Sequence, residues 1–303
     1  MNTTDPNPAL IGGVGKAPLV RLPNPAALFA TRAKRLAFLA QSGDNLAPYL
    51  VFLADLTALQ ARLVDSLPPV QPLPDARITL ARESRMPPID RTLAVDDPAL
   101  LATLSALCDG AAALDMPEPA RLALQAVGAA DDADRGWLLR NVLSDDIPAD
   151  AAAPHLFVAA AVQVHLSRLA ATLPADRLVA IQTGICPSCG GRPSVSMVTG
   201  AAGIENVRYA CCPTCATQWN EVRVKCLCCG STKGISYRSV ETEDAVIKAE
   251  VCGECESWVK ILYQNRNPSL DPLADDVGSL GLDMMMAETG LRRGGVNPFT
   301  VGY

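Results

Sequence analysis

Four Cys-x-x-Cys pairs crowd the C-terminal part of this 303-residue chain, and they repeat. Cys186/Cys189 and Cys212/Cys215 recur, 40 residues on, as Cys226/Cys229 and Cys252/Cys255. Each copy reads Cys-x2-Cys-x22-Cys-x2-Cys. One Cys-x-x-Cys presents two sulfurs from a tight loop, and two such loops close a tetrahedron of thiolates around a metal ion. A single pair is weak evidence, but a quartet repeated in register is not an accident of composition. The spacing therefore predicts two metal ions. One is held by Cys186, Cys189, Cys212 and Cys215, the other by Cys226, Cys229, Cys252 and Cys255. Lobes of about 40 residues bury too little surface to fold unaided, so the metal supplies the missing stability. Four thiolates suit zinc or iron equally.

Three cysteines remain of the 11. Cys108, among Leu104, Leu107 and Ala111, reads as a small core hydrophobe. Cys211 and Cys228 adjoin ligands, but only Cys212 and Cys226 keep the repeat. A thioredoxin-type pair sits at a helix N-terminus, where the helix dipole lowers a thiol pKa. No helical run follows any of the four pairs, so metal ligation is preferred to redox catalysis.

The charge balance bears on partners. The formal net charge is -6 and neither half of the chain is basic, so the electrostatic footprint of a nucleic-acid binder is missing. The N-terminal stretch lacks a basic segment followed by an apolar one, and no apolar run reaches about 18 residues, so neither a signal peptide nor membrane insertion is expected. Abundant cysteine without an export signal points to a reducing compartment, hence the cytoplasm.

From Pro25 to about Ile181 the apolar spacing is helical. Stretches begin at Pro25, at Pro48 (to Leu67), at Asp97-Pro98, at Pro119, at Asp134 and at Asp150. Asp97-Pro98 has the preferred order of cap residue and then Pro. Pro68–Pro88 reads as a connector, and a short helix is expected after Pro174. At Gly184 the texture changes. Val195–Val198, Val207–Tyr209, Val222–Val224, Ile235–Tyr237 and Val259–Leu262 read as short strands. Gly190 and Gly230 follow their pairs where a positive φ is often needed. A final helix is expected over Asp271–Thr289, with Leu273, Val277, Leu280 and Met284 on one face. The predicted architecture is a helical domain (1–183), two four-cysteine ribbon lobes (184–224 and 225–268), and a C-terminal helix and tail (269–303) packed on them.

No catalytic set is visible, and the chain is read as a non-enzyme. Its two histidines, His155 and His165, lie ten apart on one helix and do not share a face. Gly12–Lys16 is superficially P-loop-like but lacks the preceding strand and the Ser/Thr after Lys.

The run Cys186-Pro-Ser-Cys189-Gly-Gly-Arg-Pro, Arg208-Tyr209 before Cys212, Trp219, Val222-Arg-Val-Lys-Cys226 and Gly230-Ser-Thr-Lys-Gly-Ile235 resemble the FdhE family of formate dehydrogenase accessory proteins. So do the tail from Leu280 to Pro298 and, in the helical half, Leu22–Phe29 and Tyr49–Leu53. The resemblance implies a cytosolic maturation factor that acts on the catalytic subunit of respiratory formate dehydrogenase, with rubredoxin-like iron in the cysteines. Trp219, Arg223, Lys225 and Trp258, together with Arg292 and Arg293, are the expected contact residues, since Trp and Arg dominate binding hot spots. The two indoles have a competing role as caps on the metal lobes. The rival classes are a nucleic-acid-binding tandem zinc ribbon and an iron redox protein.

Overall fold

The computed structural model describes residues 17–302 apart from 202, 203, 241 and 243. The Gly12–Lys16 run lies outside them.

Apolar periodicity and caps account for the helices. Helix α1 (Pro25–Leu39) starts where the Asn24 side chain accepts from the Ala27 amide. Gly43, at φ 70°, turns the chain into α2 (Ala47–Ser66). Helix α3 (Asp75–Glu83) follows, and α4 (Pro98–Ala111) opens on Asp97, whose carboxylate accepts from the Ala99 amide at 2.7 Å. Helices α5 (Glu118–Ala129) and α6 (Asp132–Leu143) precede α7 (Ala152–Ala170). From His155 to Ala170 only Arg168 of α7 is not buried. A helix apolar on every side belongs at the centre of a bundle, and α2, α4, α5 and α6 pack around this one. By length and composition α2 could span a membrane, although no apolar run of that kind was expected. It is instead half-buried against the bundle through Leu50, Leu53, Leu56 and Leu63.

The ribbon half is a single sheet. Its strands are β1 (Val20–Arg21), β2 (Val195–Ala201), β3 (Ile204–Cys211), β4 (Gln218–Glu221), β5 (Ile235–Arg238), β6 (Ile247–Cys252), β7 (Ser257–Tyr263) and β8 (Arg292–Arg293). The order is β1-β4-β3-β2-β7-β6-β5, with β8 also on β7. Within each ribbon the pairing is antiparallel. The ribbons meet where β2 and β7 run parallel, Val195 opposite Lys260 through Val198 opposite Tyr263. The two lobes thus share backbone hydrogen bonds, which the tandem spacing did not reveal.

Several local expectations are corrected. Val222–Val224 is not a strand: β4 ends at Glu221, and Val222 and Val224 both point outward while Arg223 turns in over Tyr263. The Pro68–Pro88 connector contains α3, whose only buried residues are Ile78 and Ala81, too few for a clear period. After Pro174 there is one 3-10 turn, Ala175–Arg177. The C-terminal helix breaks at Ser279 into α8 (Ala274–Gly278) and α9 (Leu280–Ala287). The break turns the apolar face, so Leu282 and Met286 are buried and Met284 is exposed.

Candidate metal centres

The eight cysteines of the repeat gather into the two predicted quartets, the sulfurs of each within 4.8 Å of one another. In the first, Cys186 and Cys215 sulfurs are 3.6 Å apart, as are those of Cys189 and Cys212. In the second, the Cys226–Cys255 and Cys229–Cys252 separations are 3.7 Å. A tetrahedral ion with bonds of about 2.3 Å to sulfur requires sulfurs about 3.8 Å apart. The quartets therefore fit an ion, and none of these cysteines is in a disulfide. Cys211 and Cys228 lie outside both sets.

Each pair is a backbone knuckle. The Gly190 amide donates to the Cys186 carbonyl (2.9 Å), and the Gly230 amide to that of Cys226 (3.0 Å). The loop closes from the other side as the Cys186 and Cys226 amides donate to Gly191 and Ser231 carbonyls. The residue after every second cysteine has a positive φ: Gly190 at 77°, Gly230 at 78°, Ala216 at 58° and Glu256 at 53°. Glycine marks only two of these four turns. Amides of Cys215, Cys228 and Cys229 point at the sulfurs of Cys212 and Cys226 at 3.3–3.5 Å, which favours thiolate there.

The two quartets share ligands but not surroundings. All four sulfur-bearing residues of the first are buried in the core common to helices and sheet. Arg91 lies beside it, paired bidentately with Asp145 at 2.8 Å and donating to Thr214 at 3.0 Å. Burial works against the Arg91 charge, but Cys189, Cys212 and Asp145 outweigh it and hold the guanidinium ionised. Burial likewise opposes ionisation of Cys212. Its neighbours Cys186, Cys189 and Cys215, with Arg91, nonetheless pull it well below the ordinary thiol range. Burial and the thiols of Cys189, Cys212 and Cys215 push Cys186 up. Further ties to the bundle are Ile89 N–H to the Ser188 carbonyl (3.1 Å) and Gln163 to the Pro213 carbonyl (3.0 Å). Sequence reasoning missed Arg91, Asp145 and Gln163, which lie far from the cysteines along the chain and in no motif.

The second quartet sits at the rim. Cys226 and Cys252 are buried, Cys255 is half-buried, and Cys229 is exposed beside an exposed Cys228. Burial pushes the Cys226 thiol up. At Cys255 burial opposes ionisation, but Ser257 and the three companion thiols bring it down.

The expected contact residues divide. Trp219 and Trp258 are buried, so neither indole offers a surface. Trp219 donates to Glu221 at 3.3 Å. Arg293 is also turned inward, onto Asp276 and Asp283 at 2.7 Å. Arg223 covers the Tyr263 ring at 5.5 Å, and Lys225 pairs with Glu221 at 3.6 Å. Arg292 is exposed and reaches the Ser257 hydroxyl at 3.3 Å. The histidines are buried. His155 lies between the Ala151 carbonyl and Asn141, His165 against Asp97. Burial lowers both pKa values.

Family models described as FdhE, N-terminal, FdhE, central domain, and FdhE, C-terminal domain match residues 17–183, 185–223 and 224–300. A protein FdhE homolog from Rhizobium meliloti (strain 1021) is 53% identical over 305 residues, covering 100% of this chain and 99% of that protein. One from Edwardsiella ictaluri (strain 93-146) is 34% identical, covering 95% and 93%. The crystal structure of the FdhE protein from Pseudomonas aeruginosa superposes with a TM-score of 0.84 at 34% identity, covering 94% of this chain and 99% of that one. With matching models along nearly its whole length and full-length relatives, the chain belongs to the FdhE family.

Proposed function

We propose that the protein is a cytoplasmic accessory factor for respiratory formate dehydrogenase, binding its catalytic subunit without turnover of its own. The observation that carries this reading is a four-cysteine pair of centres, one sealed and one at the rim, in a chain of this family. Two metal ions, iron or zinc, complete the centres and hold the ribbons in shape for contact. Metal analysis and optical spectra of protein purified with and without oxygen decide between the two metals.

The linker Val222–Lys225 is the contact surface we favour within the ribbons, since it places two exposed valines on either side of a cation. Exposed apolar side chains in a charged rim are what a transient partner recognises. In a pull-down, the wild type retains the catalytic subunit, and Val222→Asp with Val224→Asp loses it while keeping both metals. Full retention by that variant removes the linker from the contact. No binding by the wild type overturns the functional reading.

The rival with an observation behind it is nucleic-acid binding. Arg223, Lys248 and Arg266 stand within 4.8–5.6 Å of the Tyr263 ring centroid. The net charge of -6 opposes it, because phosphate neutralisation dominates such affinity. A salt titration with single-stranded RNA separates the two.

A further inference from the structure

The rim position of the second quartet has a chemical consequence. A cleft of about 570 Å³ opens on Cys228 and Cys229, and among the described residues no carboxylate lines it. Arg192, Arg292 and Arg293 do. Arg293 is spent on Asp276 and Asp283. The Arg192 guanidinium donates to the Asp145 carbonyl (2.7 Å), while its backbone amide donates to the Asp145 carboxylate (3.0 Å). The Arg292 guanidinium donates to the Ser257 hydroxyl, so neither guanidinium has a carboxylate partner among the described residues. Alternation along β8 explains the split between its two arginines, Arg292 facing out and Arg293 facing in. The two glycines that follow let the tail lie against the knuckle. A methyl group on Gly294 would stand 2.2 Å from the Cys228 sulfur. The first quartet has no exposed member: clefts reach Cys189 and Cys212, but all four cysteines are buried, and Asp90 and Asp271 line those clefts.

A divalent ion with four thiolates carries two net negative charges, which repel an anionic chelator. Two unpaired arginines beside the exposed sulfur cancel that repulsion on this side. We propose that the cleft is an exchange port. Through it the centre at Cys226, Cys229, Cys252 and Cys255 gives up or accepts its metal to a small anionic carrier bearing carboxylates or thiolates, with Cys228 as the incoming protein ligand. In the exchange the Cys228 thiol releases its proton to solvent as its sulfur binds the metal. The Cys229 bond then breaks, and that thiolate is protonated from solvent. Carboxylate or thiolate donors of the carrier next replace the sulfurs of Cys226, Cys228, Cys252 and Cys255 on the metal one at a time, each freed thiolate taking a proton from solvent as the metal leaves with the carrier. No electron moves. The proposal rests on the ligand set and not on any client, so it stands or falls apart from the functional reading.

The test uses the full chain loaded with two equivalents of zinc. Release is followed with excess EDTA, which is anionic, and with 1,10-phenanthroline, which is neutral. Release to EDTA is expected in two phases of one equivalent each. Arg192→Gln with Arg292→Gln slows the fast phase to EDTA by a factor on the order of ten, as loss of electrostatic steering requires, and leaves release to phenanthroline unchanged. Cys228→Ser slows the fast phase to both chelators. The slow phase is the same in every variant. A single phase overturns the proposal. So does a fast phase that neither variant alters, or one that the arginine variant slows equally for both chelators.

Discussion

At the scale of single residues, the tightest constraints fall on glycine and histidine. Gly295 passes so close to β2 that a methyl group on it would stand 2.1 Å from the Ser194 carbonyl oxygen, an atom of backbone that cannot turn away. Gly295→Ala should cost about 2 kcal/mol or more in a urea titration, as forced overpacking does. Gly128, near the end of α5, meets nothing within 4 Å, so Gly128→Ala should stabilise by about 0.5 kcal/mol through helix propensity alone. The histidines set a pH dependence. His155 accepts from Asn141 while its other nitrogen donates to the Ala151 carbonyl, an arrangement that needs the neutral ring. Burial lowers its pKa and that of His165 in the folded state, so below the ordinary histidine value the unfolded chain binds protons that the native one refuses. Stability should therefore be full above about pH 6.5 and fall as pH drops below it. Relative to the wild type, His155→Gln should flatten that slope in stability curves between pH 6.5 and 5. The eight ligands were legible because a thiolate tetrahedron fixes residue type and spacing together. Arg91 and Asp145 were not, because a partner charge can come from anywhere the fold delivers it. Nor could sequence mark Ala216 and Glu256, which adopt positive φ without being glycine.

At the scale of elements, the two quartets should respond differently to the same substitution. Cys186 belongs to the core that also holds α3, α4 and α7, whereas Cys229 touches solvent. In hydrogen exchange, Cys229→Ser should release one metal and expose the amides of β5 and β6 while the bundle keeps its protection. Cys186→Ser should release the other metal and also loosen the chain around Ile89, whose amide bonds to the knuckle at Ser188. Equal and local effects from both would show that the first knuckle is not part of the shared core. Cys108→Ser should keep both metals. Helices with a clear apolar period, α2, α4 and α7 above all, could be placed from the chain alone. Those that failed had weak periods. Helix α3 buries two side chains, and β6 continues a stretch in which Lys248 and Glu250 interrupt the apolar residues. Glu250 could be foreseen as buried only by knowing that Arg208 reaches it.

At the scale of the whole molecule, that pair decides whether the ribbons act as one body. Arg208 on β3 and Glu250 on β6 come from different metal repeats, yet they meet at 2.6 Å with almost no exposure on either side chain. The other terminal guanidinium nitrogen of Arg208 donates to the Lys225 carbonyl at 2.8 Å, which fixes the linker between the repeats. Together with the parallel β2–β7 seam, this makes the junction part of the sheet and not a hinge. Nothing in a 40-residue repeat announces such a junction, since its partners lie across the repeat boundary and their pairing depends on the sheet order. Burial alone raises the Glu250 pKa, and Arg208, with Tyr237, opposes that. Arg208→Ala would leave a buried carboxylate without its cation and the Lys225 carbonyl without a donor. It should cost about 3–5 kcal/mol, the usual penalty for breaking one side of a buried pair. The double change Arg208→Met with Glu250→Leu removes both charges at similar volume and should recover much of the loss. Thermal unfolding followed at the ribbon tryptophans Trp219 and Trp258 tests the coupling. One shared transition in the wild type, splitting into two in Arg208→Ala, is the expected result. Two transitions in the wild type would mean that the ribbons melt separately and that the seam carries little of the stability.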